Sequence, residues 1–210
     1  MQLMKRGAGR QGFTLVEVLV AMMLGLGLAA TAMWFTRVQF HSMEDQAKQL
    51  RLQGDSRAII EIFAREVRRA GMDPTCAKVF DAVAESDALQ VRFQADLNSN
   101  GALDAGNEDL HYRIVDDVRF ERVAGGAPEV LLDGVDLSGS RFRYFDAAGS
   151  ELPTASALTA AQRATVRRVR LELAVSQTAA GPDRTLPLRA RAATDVALRN
   201  RFFINANGCP

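Results

Sequence analysis

Apolar residues run almost without interruption over 13–35, then thin into a stripe that recurs at helical spacing. The run is 23 residues long. As a helix that is about 35 Å at about 1.5 Å per residue, enough to cross a hydrocarbon core of about 30 Å. Leu52, Ser56, Ile59, Phe63, Val67 and Ala70 follow at steps of three and four, which aligns them on one side of a helix. Arg51, Arg57, Glu61, Arg65, Glu66 and Arg68 fall largely off that side. Arg68 and Arg69 put cations in the last turn, Gly71 suits the position after the C-cap, and Pro74 forbids continuation. The pattern predicts one nearly continuous helix from Phe13 to about Ala70. Its second half lays the stripe against something else.

Past Pro74 the period changes to two. Residues 88–94 alternate, as do those around 111–114, and shorter runs follow at 118–123, 130–132 and 141–145. Gly125-Gly126, Asp133-Gly134 and Ala148-Gly149 supply turns. Val169, Leu171, Leu173 and Val175 form the clearest one-sided strand, with Arg168, Arg170 and Glu172 facing out. Residues 186–192 are a last candidate, confined by Pro187 to an edge or a strand start. Residues 154–163 read as a short helix or a loop. The fold class is α+β: a mostly antiparallel sheet, one face wet and the other covered by the helical stripe.

Within the apolar run Glu17 stands out. A carboxylate in a spanning helix costs about 2.5–3.5 kcal/mol on lenient insertion scales, so it marks a function and needs a partner. The nearby cations, Lys5, Arg6 and Arg10, all precede Gly12. A cut after Gly12 would place a new α-amino group on Phe13, one helical turn from Glu17. Ala21, Gly25 and Ala29 recur at intervals of four and suit close helix approach.

The leader 1–12, the Gly12-Phe13 junction, Thr14-Leu15, Glu17 and the apolar continuation resemble the prepilin signature of type IV pilins and type II secretion pseudopilins. The resemblance implies cleavage after Gly12 by a prepilin peptidase on the cytoplasmic side and N-methylation of Phe13. It also implies that the helix packs in a filament core, with Glu17 registering each incoming subunit. An ordinary secretory signal is the alternative, with Ala30-Thr31-Ala32 as its cleavage site. Against it, the apolar run is long for such a signal, which has no use for an acid.

Farther along, 63–71 with Cys76 just after, 142–146 and 198–200 resemble minor pilins of the PilW type, and pseudopilin J subunits share some of these looser motifs. The implied fold is a type IV pilin-like ladle. Its parts are a leader (1–12), a transmembrane and filament-core helix (13–35), a periplasmic half-helix (36–72) and a β-sheet head (73–210). The implied function is a minor pilin that primes assembly of a type IV pilus or sits at its tip. Implied partners are the prepilin peptidase, other major and minor pilins, the inner-membrane assembly platform, and lipid before assembly. A type II secretion pseudopilin and a solitary membrane-tethered binding domain are the rival readings.

Bulk composition fits one anchored domain, with 48% hydrophobic and 24% charged residues. The net charge is +1. Without Lys5, Arg6 and Arg10 the basic excess becomes a small acidic one, which argues against bulk-charge binding of nucleic acid. Those three cations outweigh the lone Arg37 after the span, so the N-terminus is expected in the cytoplasm of a single-pass inner-membrane protein. The head is then periplasmic and later lies on the filament.

Asp96, Asn98 and Asn100 fall at positions one, three and five of an EF-hand-type calcium loop, with Gly101 at six and Asp104 at nine. The Ala102 carbonyl would be the seventh-position ligand. Position twelve is Asn107 rather than glutamate, with Glu108 one place late. The other reading is a long Asn/Asp/Gly-rich hairpin connection. Cys76 and Cys209, in an oxidising compartment, are expected to form a structural bridge. Arg163, Arg167, Arg168, Arg170, Arg189 and Arg191 read mainly as the solvated face of a sheet. No nucleophile–base pair, phosphate-cradling loop or zinc spacing is evident, so the protein reads as a non-enzyme.

Overall fold

The computed structural model describes residues 12–76, 80–116, 118–178 and 187–200. Helix α1 spans Leu15–Val67, as the run and the stripe together predict. The chain divides into two compact units, 1–44 and 45–210, and the division falls inside α1. In the first unit the apolar side chains stay exposed, Met23 by 71% and Leu26 by 70%. An 18-residue window of α1 has a mean hydropathy of 2.1 with none of it buried. This helix is therefore long and apolar enough to cross a membrane. A bare apolar surface of that extent is unstable in water and requires lipid or other helices around it.

In the second unit Leu52, Ser56, Ile59, Phe63 and Val67 of α1 are all buried, with Ile60 and Ala64 beside them. They cover two antiparallel sheets rather than the single sheet expected. The first holds β1 (Val83–Ser86), β2 (Gln90–Gln94), β3 (Asp109–Val115), β4 (Arg119–Ala124) and β5 (Glu129–Asp133), in chain order. The second is ordered β7-β6-β8-β9 from β6 (Arg141–Phe145), β7 (Glu151–Leu152), β8 (Arg168–Gln177) and β9 (Leu188–Ala197). A period of two tells which face a residue takes but not which sheet it joins. Strands β1 and β7 are too short for periodicity to reveal. β9 begins immediately after Pro187 and runs to Ala197, past the expected end. Helix α2 (Ala160–Thr165) occupies the end of the ambiguous 154–163 stretch, started by a capping box between Thr159 and Gln162.

Phe63 joins the layers. Its ring meets Tyr112 edge-on at 5.1 Å and Phe93 at 6.0 Å in the first sheet, and Phe142 at 5.9 Å in the second. Truncating such a ring costs about 3–5 kcal/mol. The β1–β2 turn also bridges the sheets, because the single Tyr144 O–H is shared between the carbonyls of Gln90 at 2.8 Å and Asp87 at 3.0 Å. Gly71, at φ 76°, ends the helical segment as its C′ glycine. Its N–H donates to the Gln94 carbonyl at 2.8 Å, tying the helix end to β2.

Candidate functional site

Gly12, Phe13 and Thr14 precede the first helical residue and are exposed, Phe13 by 81%. The junction at 12–13 is thus presented on non-helical backbone. Thr14 sets the boundary. Its Oγ1 accepts the Glu17 N–H at 3.3 Å, and its carbonyl accepts the N–H groups of Glu17 at 3.1 Å and Val18 at 3.2 Å. Thr14-x-x-Glu17 is a capping pattern that the reading of Glu17 as a lone anomaly overlooks, although the spacing was visible in the sequence. A helix start carries about half a positive charge, so an acid in the first turn is favourable there. An amine on Phe13 would add a full cation at the same end, and Glu17 is the acid of that turn. Leader residues 1–11 lie outside the described residues.

The Asp96 loop is brought together only in part. Asp96 is fully buried, and its carboxylate accepts the N–H groups of Ser99 at 2.6 Å, Asn100 at 3.2 Å and Gly101 at 2.9 Å. Glu108, also buried, accepts from the backbone of Leu97 at 2.8 Å, Asn98 at 3.0 Å and Asp104 at 2.9 Å. The side chains of Asn98 and Asn100 converge on one Asp104 oxygen, each at 2.8 Å. Asn107 accepts instead from Arg122 at 3.2 Å. Gly101 takes φ 75°, the left-handed turn its position requires. Among the described residues no group of three or more His, Cys, Asp or Glu is arranged to hold a metal. Cys76 sits at φ 57° after the helix; Cys209 lies outside the described residues.

Arg168, Arg170, Arg189 and Arg191 do share one sheet face, joined by Arg141 and Arg143. Arg163 and Arg167 do not belong to it: they donate to the carbonyls of Leu158 at 2.7 Å and Ala164 at 2.9 Å. Sequence reasoning missed the tie between α1 and the first sheet. Glu66 pairs with Arg122 at 2.8 Å and accepts from the Tyr112 hydroxyl. No local signal links residues this far apart.

A capped apolar helix that begins beside an exposed Gly-Phe junction, with its distal half on antiparallel sheets, defines a type IV pilin-like subunit. The chain belongs to the family described as prepilin peptidase-dependent protein B, which it matches over residues 45–200. Residues 7–33 match the prokaryotic N-terminal methylation motif. Among solved structures, a type IV-like pilin from Thermus thermophilus is similar at 15% identity and a TM-score of 0.45, over 74% of this chain and 96% of that one. No curated protein matches the chain.

Proposed function

We propose that the protein is a minor pilin, stored in the bacterial inner membrane, cut between Gly12 and Phe13, methylated on Phe13 and drawn into a type IV pilus as a priming or tip subunit. The observation that supports this most is the exposed apolar half of α1 starting two residues after the junction, with Glu17 in its first turn. Such a helix is stable only in lipid or among similar helices. Extraction is then coupled to packing, and the Phe13 amine and Glu17 give that packing a register. The work of the protein is association with other pilins and the assembly platform, not turnover.

Glu17→Ala should insert and be processed normally but enter filaments poorly. Mass spectrometry of the mature N-terminus and the amount of subunit in sheared filaments read the two steps separately. A chain that begins at Met33, or a variant incorporated like wild type, rejects the reading.

Two features of the head complete the proposal. Ca²⁺, which takes six to eight oxygens, would draw on Asp104, the Ala102 carbonyl and the side-chain oxygens of Asn98 and Asn100, which here accept the N–H groups of Asn100 and Ala102; Asp96 and Glu108 hold the loop backbone in place. A Cys76–Cys209 bridge would close a loop of more than a hundred residues, worth about 4.7 kcal/mol in the chain-entropy account.

A further inference from the structure

Two asparagines in the 96–108 loop are held alike. Asn98 Oδ1 accepts the Asn100 N–H at 2.9 Å, and Asn100 Oδ1 accepts the Ala102 N–H at 2.8 Å. Each bond closes a ring that contains the side-chain Cγ of the asparagine and the backbone nitrogen of the residue after it. Both carboxamide nitrogens donate to the same Asp104 oxygen, each at 2.8 Å. The two enclosed backbone nitrogens, those of Ser99 and Gly101, donate to one carboxylate. Ser99 reaches Asp96 Oδ1 at 2.6 Å, and Gly101 reaches Asp96 Oδ2 at 2.9 Å. Asp96 is fully buried, while the side chains of Asn98 and Asn100 are open to water.

These are the parts an amide-transfer reaction needs. A backbone nitrogen that attacks its neighbour's carboxamide must give its proton to an acceptor within about 2.6–3.2 Å. The carboxamide oxygen, on which negative charge develops, needs a fixed donor about 2.7–3.1 Å away. Asp96 Oδ2 meets the first condition for Gly101, and the Ala102 N–H meets the second for Asn100. The hydrogen-bonded ring holds nucleophile and electrophile together, so the attack is intramolecular and already oriented. What separates the two asparagines is the residue that follows. Ser99 sits at φ 62° with a Cβ beside its nitrogen, whereas Gly101 at φ 75° has none. Steric access therefore favours Asn100.

We infer that Asn100 is a self-modification site, converted to aspartate and isoaspartate through a cyclic imide with Gly101. The Gly101 nitrogen bonds to the Asn100 Cγ while its proton passes to Asp96. The Cγ–Nδ2 bond then breaks, and the nitrogen leaves as ammonia with that proton. Water opens the imide at either carbonyl. Attack at Cγ leaves aspartate, and attack at the Asn100 backbone carbon leaves isoaspartate, with the chain running through Cγ. One water is consumed and one ammonia released, with no change of oxidation state. The product cannot donate to Asp104 as the amide does, so a hydrogen bond is replaced by repulsion between two carboxylates. On the reading of this loop as a calcium site, the conversion also adds an acid at position five and tightens ion binding. The chemistry at Asn100 does not depend on that reading.

The test follows the purified full-length protein in detergent, free of calcium and at neutral pH. Trypsin releases residues 93–113 as one peptide carrying Asn98, Asn100 and Asn107, while the Asn207-Gly208 pair falls on another. Fragment masses read the gain of one mass unit at each asparagine, and isoaspartyl methyltransferase labels isoaspartate apart from aspartate. Asn100 should convert about tenfold or more faster than Asn98, and about tenfold or more faster in the folded chain than in the same chain held in urea. Asp96→Asn should bring the folded rate down to the urea rate, and isoaspartate should accumulate beside aspartate. A urea rate equal to or above the folded rate, a folded rate unchanged in Asp96→Asn, or aspartate without isoaspartate overturns the inference. Thermal melts matched to wild type show that Asp96→Asn is folded; if it is not, the comparisons with urea and with Asn98 decide alone. Conversion at Asn100 in a chain whose melting ignores calcium upholds the inference and removes only the ion site.

Discussion

The side-chain amide of Asn200 donates to the carbonyls of Arg68 and Arg69, both at 3.1 Å, across 132 and 131 residues of chain. Carbonyls at the end of a helical segment are short of intrahelical partners, and here a residue from beyond β9 donates to them, the Arg69 carbonyl also accepting the Met72 N–H at 3.0 Å. Asn200→Ala is expected to cost about 1 kcal/mol. Asn200→Asp should cost more, because a carboxylate cannot donate and meets the negative end of the helix. Denaturant melts of the protein in detergent measure both, and the order Asp worse than Ala is the informative result.

Glu66 and Arg122 form a pair with each side chain only 15% exposed. Removing one partner leaves the other uncompensated, so Arg122→Ala should cost about 3 kcal/mol. Replacing both, as Glu66→Leu with Arg122→Met, should cost less than the single change. A double-mutant cycle on unfolding free energy decides it; additive losses would mean the ions do not act as a pair.

His111 sits half-buried, its Nε2 3.1 Å from the Gln90 side-chain oxygen. Burial holds its pKa below the ordinary value, with Glu85 offsetting part of the shift. A depressed folded-state pKa means the unfolded chain binds the proton more readily. His111 therefore lowers stability as pH falls through about 6.5 toward the folded value. His111→Gln should flatten the melting temperature between about pH 7 and 5. An unchanged slope would assign it to other groups.

Thr14 caps α1 through Glu17. Thr14→Ala should speed exchange of the Glu17 amide about fivefold, as expected for a cap worth about 1 kcal/mol, and Thr14→Ser should restore it. Hydrogen exchange of the protein in micelles reads this directly.

Calcium at the Asp96 loop predicts that a chelator lowers the melting temperature and that added Ca²⁺ restores it. Asp104→Ala should abolish the response without unfolding the loop, whose backbone is held by Asp96 and Glu108. A melt indifferent to chelator and ion alike removes calcium from the account.

Local chemistry along the chain was enough for the helix, its stripe and its end. Each depends on neighbours within four residues: Leu52 to Val67 share a face because 3.6 residues make a turn, and Gly71 ends the helical segment because its φ is left-handed. The place of Glu17 in the first turn of α1 and the alternation of β8 rest on the same short range. What the sequence did not disclose is partnership at a distance. It could not say that strands split into two sheets, that Glu66 would find Arg122, or that Asn200 would cap a helix from the far end of the chain. Nor could it sort six arginines onto one face while sending Arg163 and Arg167 to backbone carbonyls. Those outcomes depend on which surfaces pack, and packing is settled by the whole core around Phe63 rather than by any window of sequence.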